Sequence, residues 1–386
     1  MNKRFSKMSR SGGFSLIELM IALVLGLLVT GALIQVFLAN KLTYTVSDGL
    51  VRAQESARYA MLRLNRDLRM AASGPMCSGA PVELNNIIEI DNDGDVGDII
   101  QAGGFIAYDY NGTDSGTYPF PLDGSGNDNA NQWANFETTG LPPAIDGRVL
   151  PGTDVLGMVT MQPIAHDMTG CSNNNANQAS LGVCDDNDDS ISSHGVDQGT
   201  IMAAVDCTAG VGDVFVNVNN ASASSFSRGS GNIHTGVSNQ NNVNWSTPYQ
   251  ENTEFYRSDV TYYYIGQSAG STPDRFRPAL FRVRNCNGGN NCVHEELAEG
   301  VENMQVFLRT NGNNTLHDPR DNAIGNWSNV SAVELDLVLV SPEPVDNRDL
   351  EQSLELGNGL TVEMEDRRIR VAYSNTVAVR NRITVR

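Results

Sequence analysis

From Phe14 to Ala39 the chain reads FSLIELMIALVLGLLVTGALIQVFLA, almost wholly apolar, yet Glu18 places a carboxylate near its start. Between Leu19 and Ala39 only Thr30 and Gln35 carry polar side chains. A helix of that length crosses a hydrocarbon layer of roughly 30 Å. A carboxylate at the centre of such a helix costs roughly 2.5 to 3.5 kcal/mol on insertion scales, so Glu18 calls for a partner. Lys3, Arg4, Lys7 and Arg10 precede the run with no acid among them. The positive-inside rule then leaves the N-terminus in the cytoplasm and places everything after Lys41 outside.

Two ordinary readings of such a segment fall short. A cleaved secretory signal has an apolar region of roughly 7 to 15 residues followed by a small-residue site, whereas here the run is longer and the small pair, Gly12 and Gly13, precedes it. An uncleaved anchor accounts for the topology but gives no role to Glu18 or the glycines. The helical pattern also continues beyond the membrane. No proline occurs between Phe14 and Gly74, and Val46, Leu50, Ala53, Ala57, Met61, Leu64 and Leu68 recur at helical spacing, with Arg52, Glu55, Arg63 and Arg66 on other faces. Gly74 and Pro75 end the pattern. The spacing predicts one helix of roughly 55 residues, about 80 Å long at 1.5 Å per residue.

Beyond Pro75 the pattern becomes short apolar runs between Gly, Asn, Asp and Ser clusters. Strands are expected at 155–161, 200–205, 214–218, 260–265, 279–283, 301–308, 333–340 and, with interruption, 369–385. The fold class this implies is α+β, a long N-terminal helix packed on an antiparallel sheet head. The tracts near 111–147, 171–199 and 219–250 are rich in Asn, Gly, Ser and Asp and read as loop or disordered by composition.

With 26 basic and 45 acidic residues the net charge is -19, which argues against binding nucleic acid, whose phosphates require clustered cations. The six cysteines, Cys77, Cys171, Cys184, Cys207, Cys286 and Cys292, all follow the apolar segment and include no CxxC pair. On the outer side of a membrane they are expected as disulfides. Short loops suggest Cys171 with Cys184 and Cys286 with Cys292, leaving Cys77 with Cys207.

Three patterns invite chemistry. Gly266-Gln267-Ser268-Ala269-Gly270 has the form G-x-S-x-G, but a nucleophile elbow needs a following helix, and STPDRFRPALFRV reads as a hairpin loop and strand. His166, His194, His234, His294 and His317 show no metal-binding spacing. Asp91, Asp93, Asp95 and Asp98 alternate as calcium ligands do, although Val96 and Ala102 stand where an EF-hand needs glycine and glutamate. Asp185, Asp186, Asp188 and Asp189 form a second acidic cluster; for both, a solvated turn competes with calcium. Arg367, Arg368, Arg370, Arg380, Arg382 and Arg386, with no acid after Asp366, form a local reversal of charge. They could face an acidic partner subunit, the head's own acidic loops, or solvent.

The basic leader, then Gly13, Phe14 and Ser-Leu-Ile-Glu-Leu-Met, resembles the class III signal of type IV pilins and pseudopilins. The resemblance implies cleavage between Gly13 and Phe14 by prepilin peptidase, methylation of the Phe14 amine, and pairing of Glu18 with the N-terminal ammonium of a neighbouring subunit on assembly. A buried charge is tolerated when paired. Further blocks, RMAASGPMC, GTDVLGMVTM, Asp206-Cys207 before DVFVNVN, PALFRVRN, LAEGVENMQVFLR and DRRIRVAYSNTVAVRNR, resemble PilW-like minor pilins. That divides the chain into a leader (1–13), a membrane or filament-core helix (14–40), its amphipathic continuation (41–73) and a head (74–386). It implies a non-enzymatic subunit that primes type IV pilus assembly near the tip. The implied partners are other minor pilins, the major pilin and a large tip adhesin. The alternatives are a type II secretion pseudopilin and a pilin-anchored adhesin or calcium-dependent binding module.

Overall fold

The computed structural model describes residues 15–77, 79–89, 96–110, 132–164, 167–230, 238–272, 275–284, 292–312, 315–345, 349–379 and 384–385. Helix α1 runs without a break from Leu16 to Met70. It stops where Ala72 takes a left-handed conformation, φ 59°, and turns its N–H to the Val159 carbonyl at 2.8 Å. That bond ties the end of the helix into the sheet.

The head is built on a large mixed sheet. Its principal strands are β1 (Glu83–Asn86), β2 (Phe105–Tyr110), β3 (Val155–Pro163), β4 (Ile201–Asp206), β5 (Val211–Val216), β6 (Thr253–Gln267), β7 (Pro278–Arg284) and β8 (Val293–Glu299). Between β1 and β2 lies the short helix α2 (Val96–Gln101). The order β1-β5-β4-β6-β3-β2 forms the main path, with β7 on the far half of β6 and β8 beyond it. β6 is 15 residues long and carries the pairing from β4 at one end to β7 at the other. A second sheet holds β9 (Val301–Thr310), β10 (Val330–Val340) and β11 (Arg370–Ala378), with β10 central and antiparallel to both. The lower half of α1 lies against β8, β10 and β11.

Strand alternation divides the interior in two. Ile201, Ala203 and Val205 of β4 face the core shared with α1. Met202 and Ala204 face the other way, into a second core with Leu181, Val183, Phe215, Phe226, Trp245, Tyr249 and Phe255. This corrects the expectation of loop or disorder for the tracts near 171–199 and 219–250. Within their described parts they contain strands Ser180–Cys184 and Ser225–Ser227, paired antiparallel, and they cover the back of the main sheet. The tract 111–147 is described only from residue 132. The last strand, expected over 369–385 with an interruption, is seen as Arg370–Ala378 and Thr384–Val385.

Candidate functional site: the helix and its junction with the head

In the first half of α1 every described side chain from Ser15 to Thr43 is exposed. Ser15 is extended and makes no side-chain cap. Glu18 lies exposed in the first turn, where unpaired backbone N–H groups and the helix dipole favour an anion. The predicted cleavage and methylation residues, Gly13 and Phe14, lie outside the described residues. The segment Leu16–Met70 holds a window of mean hydropathy 2.5, none of it buried.

The second half is different in kind. Gly49, Ala53, Ala57, Ala60, Met61, Leu64 and Leu68 are buried, a stripe of small residues that lets the helix approach closely and then of larger ones that fill the core. A Cβ at Gly49 would stand 3.1 Å from the Ser341 Cβ and 3.3 Å from a Val345 methyl. Polar bonds fix the rotation of the helix. Asp67 accepts from the Tyr263 hydroxyl and from Arg282 Nη1 at 3.3 Å, and Arg63 lies 3.6 Å away. Arg282 also reaches Glu295 of β8, so its guanidinium, with only 4 % of the side chain exposed, is paired on both sides. Asn375 Nδ2 donates to Asn65 Oδ1 at 2.6 Å. Burial and the Asp67 carboxylate together push the Tyr263 phenol up.

The cysteines fasten this junction. Cys77, just past the helix, is bonded to Cys207 at the end of β4, and Cys171 to Cys184 within the back lobe. Cys292 is disulfide-bonded; its expected partner, Cys286, lies outside the described residues.

The remaining motifs resolve differently. Ser268 sits in the β6–β7 hairpin; its hydroxyl donates to Glu296 at 2.7 Å and accepts from the Gly270 N–H at 3.0 Å. The next element described is strand β7, not the helix a nucleophile elbow requires, and the hydroxyl is bonded to a carboxylate rather than to a histidine. His194, His294 and His317 bond separately to Val196, Tyr264 and Asp321, while His166 and His234 lie outside the described residues. So do Asp91, Asp93 and Asp95; the backbone of Asp98 is in α2. In the second acidic cluster, Asp185 accepts the N–H groups of Asn187 and Asp189. Asp188 accepts from Ser172. These bonds hold both carboxyls below the usual range. Cys171 and Cys184 lie beside Asp188, but their sulfurs are spent on each other. Of the C-terminal arginines, Arg370 turns inward. It pairs bidentately with the buried Glu302 at 2.6 and 3.1 Å and with Asp366, whereas Arg367 meets Asp349 near the surface. Sequence reasoning missed the Asp67–Arg282–Tyr263 cluster, because Asp67 lies 196 and 215 residues from its two partners and shares no local pattern with them.

Residues 8–34 match the prokaryotic N-terminal methylation motif, and residues 262–381 match the type IV pilus-assembly protein W family. The second match spans the far end of β6 through β11. No curated protein matches the chain. Among solved structures, a type IV-like pilin from Thermus thermophilus is similar over 33% of this chain and 79% of that one, with 18% identity and a TM-score of 0.20.

Proposed function

We propose that this PilW-like type IV pilin, a minor pilin of pilus assembly, acts by priming the filament with other minor pilins and ends near its tip. The observation that carries the reading is Glu18, an exposed carboxylate in the first turn of a helix whose whole apolar half is left exposed by the described part of its own chain. Before assembly that half is covered by the inner membrane. After processing at Gly13 the free amine of Phe14 in a neighbouring subunit supplies the cation that Glu18 lacks, in surroundings dry enough for the pair to be strong. The head stays on the outer side, in the periplasm and then on the pilus, where its disulfides persist.

In this reading prepilin peptidase is the processing enzyme, the other minor pilins and the major pilin are the partners, and the chain performs no catalysis. A pseudopilin of type II secretion would share the leader and helix; the match of residues 262–381 to the pilus-assembly family favours the pilus.

Intact-mass measurement of the protein from membranes with and without prepilin peptidase tests the first step. The expected result is a mature chain beginning at methylated Phe14 that appears only with the peptidase. A chain still beginning at Met1, or cut elsewhere, would overturn it.

A further inference from the structure

We infer that the cleft between the 147–151 loop and the β6–β7 hairpin is a binding site for a carboxylated sugar, with Arg148 receiving the carboxylate and Phe281 receiving the ring. The cleft has a volume of about 350 Å³, within the roughly 300 to 1,000 Å³ of ligand clefts. Arg148, Tyr264, Gln267, Ser268, Phe281 and His294 line it. It uses the glycine and the serine of the G-x-S-x-G pattern for a purpose other than nucleophilic attack.

The pattern builds the cleft. Gly266 lies under the loop: a Cβ there would stand 3.0 Å from the Arg148 carbonyl oxygen, 2.8 Å from the Tyr264 ring and 3.2 Å from Phe281. Only a residue without a side chain lets the loop and both rings converge. The Leu150 N–H bonds the Ile265 carbonyl at 2.8 Å and pins the loop. Ser268 is turned away to Glu296, whose second oxygen accepts the Ala269 N–H at 2.9 Å. The nearby carboxylate is thus occupied, and among the described residues no acidic side chain lines the cleft.

In a chain of net charge -19 that absence matters. Arg148 is exposed and no described carboxylate pairs with it. Its charge is felt at both Tyr264 and His294, so the three groups meet at one place. The Tyr264 hydroxyl bonds His294 Nδ1 at 3.1 Å. Burial and Arg148 push the His294 imidazolium down from its ordinary range, and in the tautomer that accepts at Nδ1 the ring offers Nε2 as a further donor. Tyr264 and Phe281 stack with centroids 5.3 Å apart and planes 14° from parallel, and the half-buried Phe281 is the ring nearer solvent. A ring face is electron-rich and attracts the weakly positive C–H groups of a pyranose. A uronic acid offers that C–H face and, at its rim, a carboxylate for a guanidinium; an inorganic anion offers only the second and a neutral sugar only the first.

The test is calorimetry and saturation-transfer NMR on the full chain in detergent with digalacturonate, with the neutral disaccharide of galactose and inorganic phosphate as comparators. Digalacturonate should bind at least about tenfold more tightly than either comparator, a difference of about 1.4 kcal/mol. Arg148→Ala and, separately, Phe281→Leu should each weaken it by about tenfold with unchanged melting temperature and piliation. Equal binding of phosphate would reduce the site to an anion site, equal binding of the neutral sugar would remove Arg148 from it, and no binding at millimolar ligand would overturn it outright. The described lining of the cleft includes no residue of the helix, so failure here leaves the assembly reading untouched.

Discussion

The two halves of α1 have the same backbone and opposite surroundings. From Leu16 to Ala39 large apolar side chains such as Leu19, Leu28 and Phe37 are more than half exposed; from Gly49 to Leu68 one face is wholly buried. Isolated helices draw little stability from propensity alone, so each half needs something to lie against. The second half finds it in β8, β10 and β11 of its own chain. The first must find it in lipid or in another subunit. One helix thus couples a head that is complete in itself to an anchor that is not.

The strongest way to break that comparison is Glu18→Ala. It should abolish incorporation into pili, as read by immunoblot of sheared filaments, while leaving membrane insertion and head melting unchanged. Removing a carboxylate from the lipid-facing half makes insertion easier, by less than the roughly 2.5 to 3.5 kcal/mol of a central charge because Glu18 lies in the first turn. Loss of assembly therefore cannot come from a poorer anchor, and normal assembly would remove Glu18 from the mechanism.

Next in size is a pair of equal truncations. Leu64→Ala removes a fully buried side chain and should cost the head about 2 to 5 kcal/mol, lowering its thermal midpoint in detergent. Leu28→Ala, 63% exposed, should leave that midpoint where it was. A shared response would mean that the halves are not energetically separate. Opening Cys77–Cys207, which closes 130 residues of chain, should cost about 4 to 5 kcal/mol on a loop-entropy view, again in the head alone.

How far the sequence disclosed this division depends on the spacing of its apolar residues. The helix was legible because its buried positions recur every three or four residues over several turns, the strands β3 and β4 because their apolar runs are nearly continuous, and β10 because VELDLVLV alternates. The back lobe was not. Its core residues Leu181, Val183, Val196, Phe226, Trp245 and Tyr249 are scattered singly or in pairs among Asn, Ser and Gly, too sparse for either period. Asparagine side chains there replace backbone pairing. Asn239 accepts from the Val216 N–H and donates to its carbonyl, both at 2.8 Å, as a neighbouring strand would. Asn174 does the same to Gly182 at 2.7 and 2.9 Å. A composition that resembles disorder is here the means of satisfying a buried backbone. The candidate site divides likewise: Glu18 stood out as a charge in an apolar run, whereas Arg148 and Phe281 are unremarkable until the fold brings them together.

The packed part of the molecule should also be the part that responds to acid. Asp109 on β2 and the fully buried Asp154 before β3 share a hydrogen bond, and Arg320 pairs with Asp109 while Asp318 lies close by. Asp154 accepts the Val306 N–H of β9 at 2.8 Å, joining the two sheets. Burial raises both carboxyls, Asp109 to about 6 against Arg320's opposing pull. A folded-state pKa above the unfolded one means that the native head binds the extra proton. Its contribution is full below about pH 4 and is lost as pH rises through 6. Urea midpoints should therefore fall by the equivalent of about 2 kcal/mol between pH 4.5 and 7, and Asp154→Asn should flatten that slope. Helicity of the lipid-embedded half should not change over the same range.

The smallest effects test the comparison most closely, because they place one substitution in both halves. Glycine inside a helix costs about 1 kcal/mol relative to alanine. At Gly31 an added Cβ meets nothing within 4 Å, so Gly31→Ala should keep the whole gain and appear only as increased helicity of the anchor in micelles. At Gly49 the same Cβ meets Ser341 at 3.1 Å and Val345 at 3.3 Å, with Ile369 behind them. These are atoms of a loop beside β10 and β11, and they must shift by a few tenths of an ångström. The propensity gain and the crowding then nearly cancel, leaving the head's midpoint within about 0.5 kcal/mol of the parent. Extending the same position to Gly49→Leu removes the balance and should destabilise the head by about 1 to 3 kcal/mol. If Gly49→Leu were as silent as Gly31→Ala, the helix would not be seated on the head at that point, and the boundary between the two halves would lie nearer Ala53.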